Sequence, residues 1–491
     1  MNRKLTYTIL TLVLANIVNT SLYAQVNYCP NDDCTKCRLL REVDYQFNAI
    51  RNDITLPQTL DGKTIHWQIE NREGGDTPYM AFDGQTIHIK SLPKGEYQPA
   101  GTLYAEVGGE KVKFNLTLAP DDEMYGYLYC HMAGNGENTN YAIGTKADRG
   151  EIFHPIINNQ PIFNPEDVAK IEGGVRDAFI IRGKDNNYLM VNTDMCNRKS
   201  RVWFNYGIDL LKSNDLIHWT SVSFDFRKGN EVFSDPQSKD YIKDYKKINR
   251  VWAPQIIWDE DYNDGEGGYL IYYSILSTND GDTYDKIYYS YANRDFTTLT
   301  KPQLMHDHGI SVIDCHIDWN DCDRRYHVFY KKEGAAGVDR GIHEAVFDKL
   351  PVSEWRNVLH ITNEGKEQVE GGSAFRLINE NTWKVTYIKY SGQRVYRVCN
   401  ANATEENVDR GVVIGTNVNP QHGSFMQITK DEYDLLQAWS DLKLKVQELE
   451  ANPKAAKSKK LKVAKEALEK TFATNPVPQL LKLYKDTIKT L

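Results

Sequence analysis

The chain has 491 residues, a formal charge of −8 and a pI near 5.9. That length exceeds what one ordinary core holds and calls for two or three domains, and the acidic balance argues against nucleic acid as a partner. Aromatic residues make up 11%, with 30 Tyr and 9 Trp, most of them accounted for by Tyr-rich strands filling a β core.

In chain order, Arg3 and Lys4 precede an apolar stretch from Leu5 to Val18, and Leu22-Tyr23-Ala24 offers a small residue before Gln25. This is the pattern of a cleaved export signal over residues 1–24, and it predicts a periplasmic or extracellular protein. The apolar run is too short and too interrupted to predict a membrane span. Eight cysteines in an exported chain make disulfides possible. Cys29, Cys34 and Cys37 cluster after the signal without a fourth ligand at zinc spacing, so local disulfides or free thiols are expected, with connectivity open.

Residues 25–120 carry short alternating segments: Thr64–Ile69, Thr86–Ile89, Thr102–Val107 and Val112–Leu118, separated by Gly- and Pro-containing turns. That pattern predicts a small antiparallel sandwich. It resembles the degenerate immunoglobulin-like modules set ahead of catalytic domains in secreted polysaccharide enzymes, which implies a spacer or docking role.

From 124 to 430 a weak repeat appears. Aromatic-bearing strands begin at Gly126, Tyr188, Gly268, Tyr326 and Trp383, at spacings of roughly 55 to 80 residues, the length of a four-stranded blade with its loops. Second strands are expected at Val202–Tyr206 and Lys286–Tyr291, each running into a similar turn. Five such units predict a five-bladed β-propeller in an all-β chain. Beyond 430, Leu435, Leu436, Trp439, Leu442, Leu444 and Val446 sit at near-helical spacing, and Asn475-Pro476-Val477-Pro478 breaks off a last helix. Residues 431–491 are therefore expected to be a short helical tail with a solvated, Lys-rich face.

Within the repeat, three acids interrupt apolar strand sequence. Asp177 lies in Val175-Arg176-Asp177-Ala178-Phe179, Asp314 in Val312-Ile313-Asp314-Cys315-His316, and Glu370 in Val369-Glu370-Gly371-Gly372-Ser373. Each precedes its aromatic strand by 11 to 13 positions, as equivalent places in repeated blades require. One such acid reads as a salt bridge or turn cap; three in register read as groups converging on the propeller axis. Hydrolysis of a glycosidic bond with inversion needs one carboxylic acid to protonate the leaving oxygen and one carboxylate to activate water, with a third to raise the acid's pKa.

With these motifs the segment 124–430 resembles glycoside hydrolase family 43, the five-bladed arabinofuranosidases, xylosidases and related enzymes. The resemblance implies that Asp177, in the Arg-Asp-Pro-Phe-Ile type motif, is the general base. It implies that Asp314, in a Ser-Val-Ile-Asp type motif, modulates the acid, and that Glu370, in the Glu-Gly-Pro motif, is the acid. Val251-Trp252-Ala253-Pro254-Gln255 resembles the family's Trp-Ala-Pro-Glu segment. Gln421-His422-Gly423 resembles its late His-Gly motif, which implies that His422 lies near the axis and helps hold a metal or water cluster, a structural calcium being the cofactor allowed. Ala178 and Gly372 replace prolines of the family pattern, and Gln255 replaces Glu; none removes a catalytic carboxylate.

Secondary candidates keep two readings each. Arg176 would clamp a substrate hydroxyl or pair with Asp177. Trp252 would stack on a sugar or pack in the core. His316 would face the pocket two positions from Asp314 or serve as a core histidine. The reading that results is an inverting glycosidase of arabinofuranose, xylose or galactofuranose on an oligo- or polysaccharide. Its rival is a propeller that binds sugar without cleaving it. A retaining fructan-cleaving propeller would want Trp-x-Asn-Asp-Pro near its start, which the sequence lacks.

Overall fold

The computed structural model describes residue 27 and residues 33–71, 78–133, 136–235, 238–278, 283–351, 354–362, 368–390, 393–399, 410–411, 413–414 and 420–491. The expected export signal and Cys29 lie outside these. No helix among the described residues is long and apolar enough to cross a membrane.

The N-terminal segment folds as a helix, Thr35–Glu42, beside two small antiparallel sheets. One sheet holds Thr59–Leu60, Lys63–Asn71, Gln98–Val107 and Glu110–Leu118; the other holds Ile54–Thr55, Met80–Phe82 and Thr86–Ile89. All four segments expected as strands lie in these sheets. Alternation puts Ile65, Leu103, Phe114 and Leu116 on one face, where Leu39 and Leu40 of the helix meet them. The helix was not legible in the cysteine cluster: Cys34 Sγ caps it by accepting from the Cys37 amide. Cys37 is disulfide-bonded, and Cys130, Cys196, Cys315 and Cys322 are free thiols.

Five larger sheets follow. Four are built of four consecutive antiparallel strands, starting with Val175–Arg182, Ile248–Asp259, Val312–Asn320 and Val369–Arg376. The remaining sheet joins Gly126–Ala133, Thr139–Thr145 and Ile152–Pro155 to the late strand Pro420–Ile428, which forms its inner edge beside Gly126–Ala133, with Val413–Ile414 at the far edge. The strands Pro420–Ile428, Val175–Arg182, Ile248–Asp259, Val312–Asn320 and Val369–Arg376 each touch the next, and the last touches the first. The sheets thus curl round a closed ring, sealed by its last strand, Pro420–Ile428, pairing with its first, Gly126–Ala133.

The five aromatic strands are in every case the strand next to this inner one. Sheets stacked on both faces bury Tyr269, Tyr272, Tyr273, Tyr330 and Tyr387 fully, and hydroxyl partners such as Ser290 for Tyr273 and Asn357 for Tyr330 keep them satisfied. Val202–Tyr206 is not the strand expected. The strand starts at Gly207, because the buried Asn205 side chain bonds Gly207 O, Val251 O and the Val251 amide in place of a ladder. Trp203 and Phe204 are left exposed as a result.

After the ring come helices Lys430–Ala451, Lys459–Leu468 and Pro476–Thr490. They are less a solvated tail than a wall of the core. Leu435, Leu436, Trp439, Leu442, Leu480 and Tyr484 are buried in one cluster with Tyr188, Met190 and Leu211 of the ring. The Lys-rich positions face outward, as the amphipathic pattern requires.

Candidate active site

Each inner strand breaks register beside the pocket: between Arg176 and Phe179, Trp252 and Gln255, Ile313 and His316, Glu370 and Ser373, and Pro420 and Gly423. A bulge re-aims the side chain at the break. Asp177, Ala253, Asp314 and Gly371 accordingly sit at positive φ, 55°, 46°, 53° and 67°, a region Asp tolerates better than bulky residues. The five breaks open on one pocket of about 520 Å³, lined among others by Asp177, Asp314, Glu370, His422, Trp252 and Arg176.

The three acids meet on one imidazole. His422 Nδ1 lies 2.9 Å from Asp177 Oδ1, and its Nε2 lies 3.4 Å from Glu370 Oε1 and 3.7 Å from Asp314 Oδ2. Thr193 Oγ1 donates to Asp177 Oδ2 at 2.8 Å and accepts from the Ala253 amide at 2.9 Å. The Gly371 amide donates to Asp314 Oδ2 at 2.7 Å, and Tyr390 OH to Glu370 Oε2 at 2.6 Å. Asp177 and Glu370 therefore face each other across the width of one ring, with Asp314 deepest.

These contacts separate the acids. Burial pushes Asp177 up, but the His422 cation, Arg176 and the Thr193 hydroxyl outweigh it and hold the carboxyl at about 2. Burial also raises Asp314, where the Glu370 and Asp177 charges add to it and leave it at about 6 against the pull of His422 and the Gly371 amide. Glu370 is lowered instead: burial is offset by His422 and by the Tyr390 hydroxyl. His422 is raised well above the histidine range by Asp314 and Asp177, despite its burial. Of the Asp314–Glu370 pair, the deeper member without the hydroxyl donor keeps the proton. This reverses the simple expectation that Asp314 would raise Glu370.

Arg176 and Trp252 line the pocket. Arg176 pairs with Glu137 at 3.5 Å rather than bonding Asp177. His316 does not line the pocket: it is 3% exposed and its Nδ1 lies 2.8 Å from Gln255 Oε1, between the rings of Phe179 and Phe329. The bulge after Ile313 explains this, since positions 314 and 316 no longer share a face. Gln255, the replacement for Glu, serves that interior bond. Among the described residues, Asp314, Glu370 and His422 are the group close enough to hold a metal, their ligand atoms lying within 4.8 Å of one another. Calcium takes six to eight oxygens, whereas here both imidazole nitrogens face carboxylates and the ring is itself the cation. The residues do not fit calcium, and no step runs through one. Thr193, Tyr390 and Glu333, a further lining residue, were missed in the sequence. Tyr390 carried a signal, an aromatic at the end of the hairpin arm that returns past Glu370.

Paired carboxylates across one pocket are what the hydrolysis of a glycosidic bond needs. A family model described as "Probable glycosyl hydrolase domain", of the family 43-related type, matches residues 122–434, and the chain belongs to this glycoside hydrolase family. It is 27% identical over 326 residues to an alpha-L-arabinofuranosidase of Bifidobacterium longum subsp. longum, covering 57% of this chain. The chain spans 28% of that relative's length. Among solved structures it is similar to an alpha-L-arabinofuranosidase from Lactobacillus brevis (13% identity, 55% of this chain and 84% of that one, TM-score 0.38). It is also similar to an endo-arabinase from Bacteroides thetaiotaomicron (12% identity, 53% and 96%, TM-score 0.36).

Proposed function

We propose that this chain is an inverting glycoside hydrolase that removes arabinofuranose, xylose or galactofuranose units from a polysaccharide. Residues 124–430 form its five-bladed catalytic propeller, behind an immunoglobulin-like module at 25–120 and ahead of helices at 431–491. It acts in the periplasm or outside the cell after loss of residues 1–24. The observation that carries this reading is the convergence of three carboxylates of unlike proton affinity on His422. Asp177, ionised at any physiological pH, takes a proton from water as that water attacks the anomeric carbon. The Asp314–Glu370 pair holds one proton up to about pH 6, resting on Asp314, and Glu370, its more exposed member, passes it to the leaving oxygen on the opposite side. His422 keeps its proton throughout and stops three acids at one site from repelling one another apart.

Binding without cleavage was suggested by the lost prolines. Against it, the bulges at Asp177 and Glu370 are formed without them, held by Ser424 Oγ between Ala178 O and the Ile180 amide and by the Gly371 bond to Asp314. Aryl arabinofuranoside, xyloside and galactofuranoside substrates test the reading. Asp177→Asn and Glu370→Gln should each lower kcat about 10³-fold while sugar binding by calorimetry persists. NMR of the first product should show inverted anomeric configuration. Retained configuration, or full activity in either variant, overturns the assignment.

A further inference from the structure

Arg176 and Arg250 stand on the same pocket, each over an indole. The Arg176 guanidinium carbon lies 5.2 Å from the Trp203 ring centre, and that of Arg250 lies 4.3 Å from Trp252. Their protein partners are sparse. Arg250 has Asp285 3.0 Å from Nε, and among the described residues no acceptor bonds its Nη1 or Nη2. Arg176 reaches Glu137 through Nη1 alone, at 3.5 Å, and that carboxylate already accepts from the Asn197 and Arg198 amides at 2.5 and 3.3 Å. Neutral sugars need hydroxyl partners, which Asn, Gln or a backbone group supplies more cheaply than a guanidinium. A planar fork stacked on an aromatic ring is the arrangement that takes an oxyanion in two parallel hydrogen bonds. Two acids of the site already have partners of their own: Glu370 is held by Tyr390 and His422, and Asp177 by His422 and Thr193.

We propose that the pocket recognises a sugar unit carrying an anionic group, a uronic carboxylate or a sulfate ester, beside the bond it cleaves, and that Arg250 with Arg176 grips that group. The proposal rests on the hydrolase reading. Arg250 is the cleaner probe, because Arg176 also acts on the charge of Asp177.

Matched oligosaccharides test it: one neutral, one with a uronic acid at the unit next to the cleaved bond, one with that unit sulfated. At least one acidic member should show a kcat/KM tenfold or more above the neutral one, with the gap narrowing at about 0.5 M salt, where surface charge is screened. Arg250→Met should collapse the ratio towards one, and Arg250→Lys, which keeps the charge but not the fork, should leave it intermediate. Preference for the uronic member alone marks a carboxylate, and equal preference for both acidic members marks any oxyanion. Equal kcat/KM on all three, or an unchanged ratio in Arg250→Met, overturns the proposal while leaving hydrolysis standing. Calorimetry with Asp177→Asn protein covers the opposite failure. If no member is cleaved but an acidic one binds tenfold tighter through Arg250, the hydrolase reading falls and the anion site remains.

Discussion

Asp177, Asp314 and Glu370 are chemically near-identical groups, and their surroundings alone give them different protons. Asp314, raised to about 6, is the group whose ionisation near neutrality costs the fold. Its contribution to stability is fully present below the ordinary carboxyl pKa and is lost as pH rises through about 6. Asp177, held at about 2, contributes above the ordinary pKa and loses that contribution only as pH falls towards 2. The pH–rate profile should therefore keep its base down to strongly acidic pH and lose its acid on the alkaline side, near 6. In Asp314→Asn the like charge beside Glu370 is gone and His422 still pulls, so the alkaline limb should move to lower pH; a limb that stays put would mean another group supplies the proton. Gly371 is a second single-residue test. A Cβ there would lie 3.0 Å from His422 Cδ2, on a backbone at φ 67°. Gly371→Ala should destabilise by about 1–2 kcal/mol in urea unfolding and depress kcat, since the ring that holds all three acids must move.

At the scale of elements, what was readable depended on how many faces a strand buries. The strands from Tyr188, Gly268, Arg325 and Trp383 are packed on both faces, so they read as aromatic-apolar runs. The inner strands are interrupted by their bulges, and only an acid out of place betrayed them. The bulge itself has no pattern, which is why the sequence leaves His316 open between the pocket and the core, and the structure decides for the core. The meeting at His422 was visible only through the family motif, because Pro420–Ile428 pairs with a strand almost three hundred residues earlier. The helices were legible from spacing but their docking was not, since it depends on one carboxylate. Glu432 closes the capping box with Thr429 and takes both ends of the Arg182 guanidinium at 2.7 and 2.8 Å in a half-buried setting. Glu432→Gln should cost about 3–5 kcal/mol, the price of leaving Arg182 unpaired. The double change Arg182→Met with Glu432→Met should recover most of it. An additive double mutant would show that the pair does not couple the helices to the ring.

Over the whole molecule, three parts that the sequence separates are joined by buried contacts. Arg51, its side chain 1% exposed, links the N-terminal sheets to the ring through Asp321 at 2.8 Å and Asn381 at 3.1 Å. Asn48 donates to Cys322 O and Asn381 to Ala49 O across the same joint. On another side, the C-terminal helices cover Tyr188, Met190 and Leu211, in the sheet whose first strand carries Asp177. A chain cut after Thr429 keeps Asp177, Asp314, Glu370 and His422, so a domain defined by the pocket alone would survive the cut. Packing predicts otherwise. Each large apolar side chain taken back to water costs about 1.5–3 kcal/mol, and a natural fold holds only about 5–15 kcal/mol in all. The cut uncovers Tyr188, Met190 and Leu211 of the ring, a cost of about 5–9 kcal/mol on that scale that is comparable with the whole reserve, so the truncated chain should aggregate or melt without cooperativity. The matching control, Lys459→Ser with Lys460→Ser on the exposed helix start, should leave Tm within a few degrees. A truncated protein that melts cooperatively near the parent Tm would show the helices to be an appendage after all.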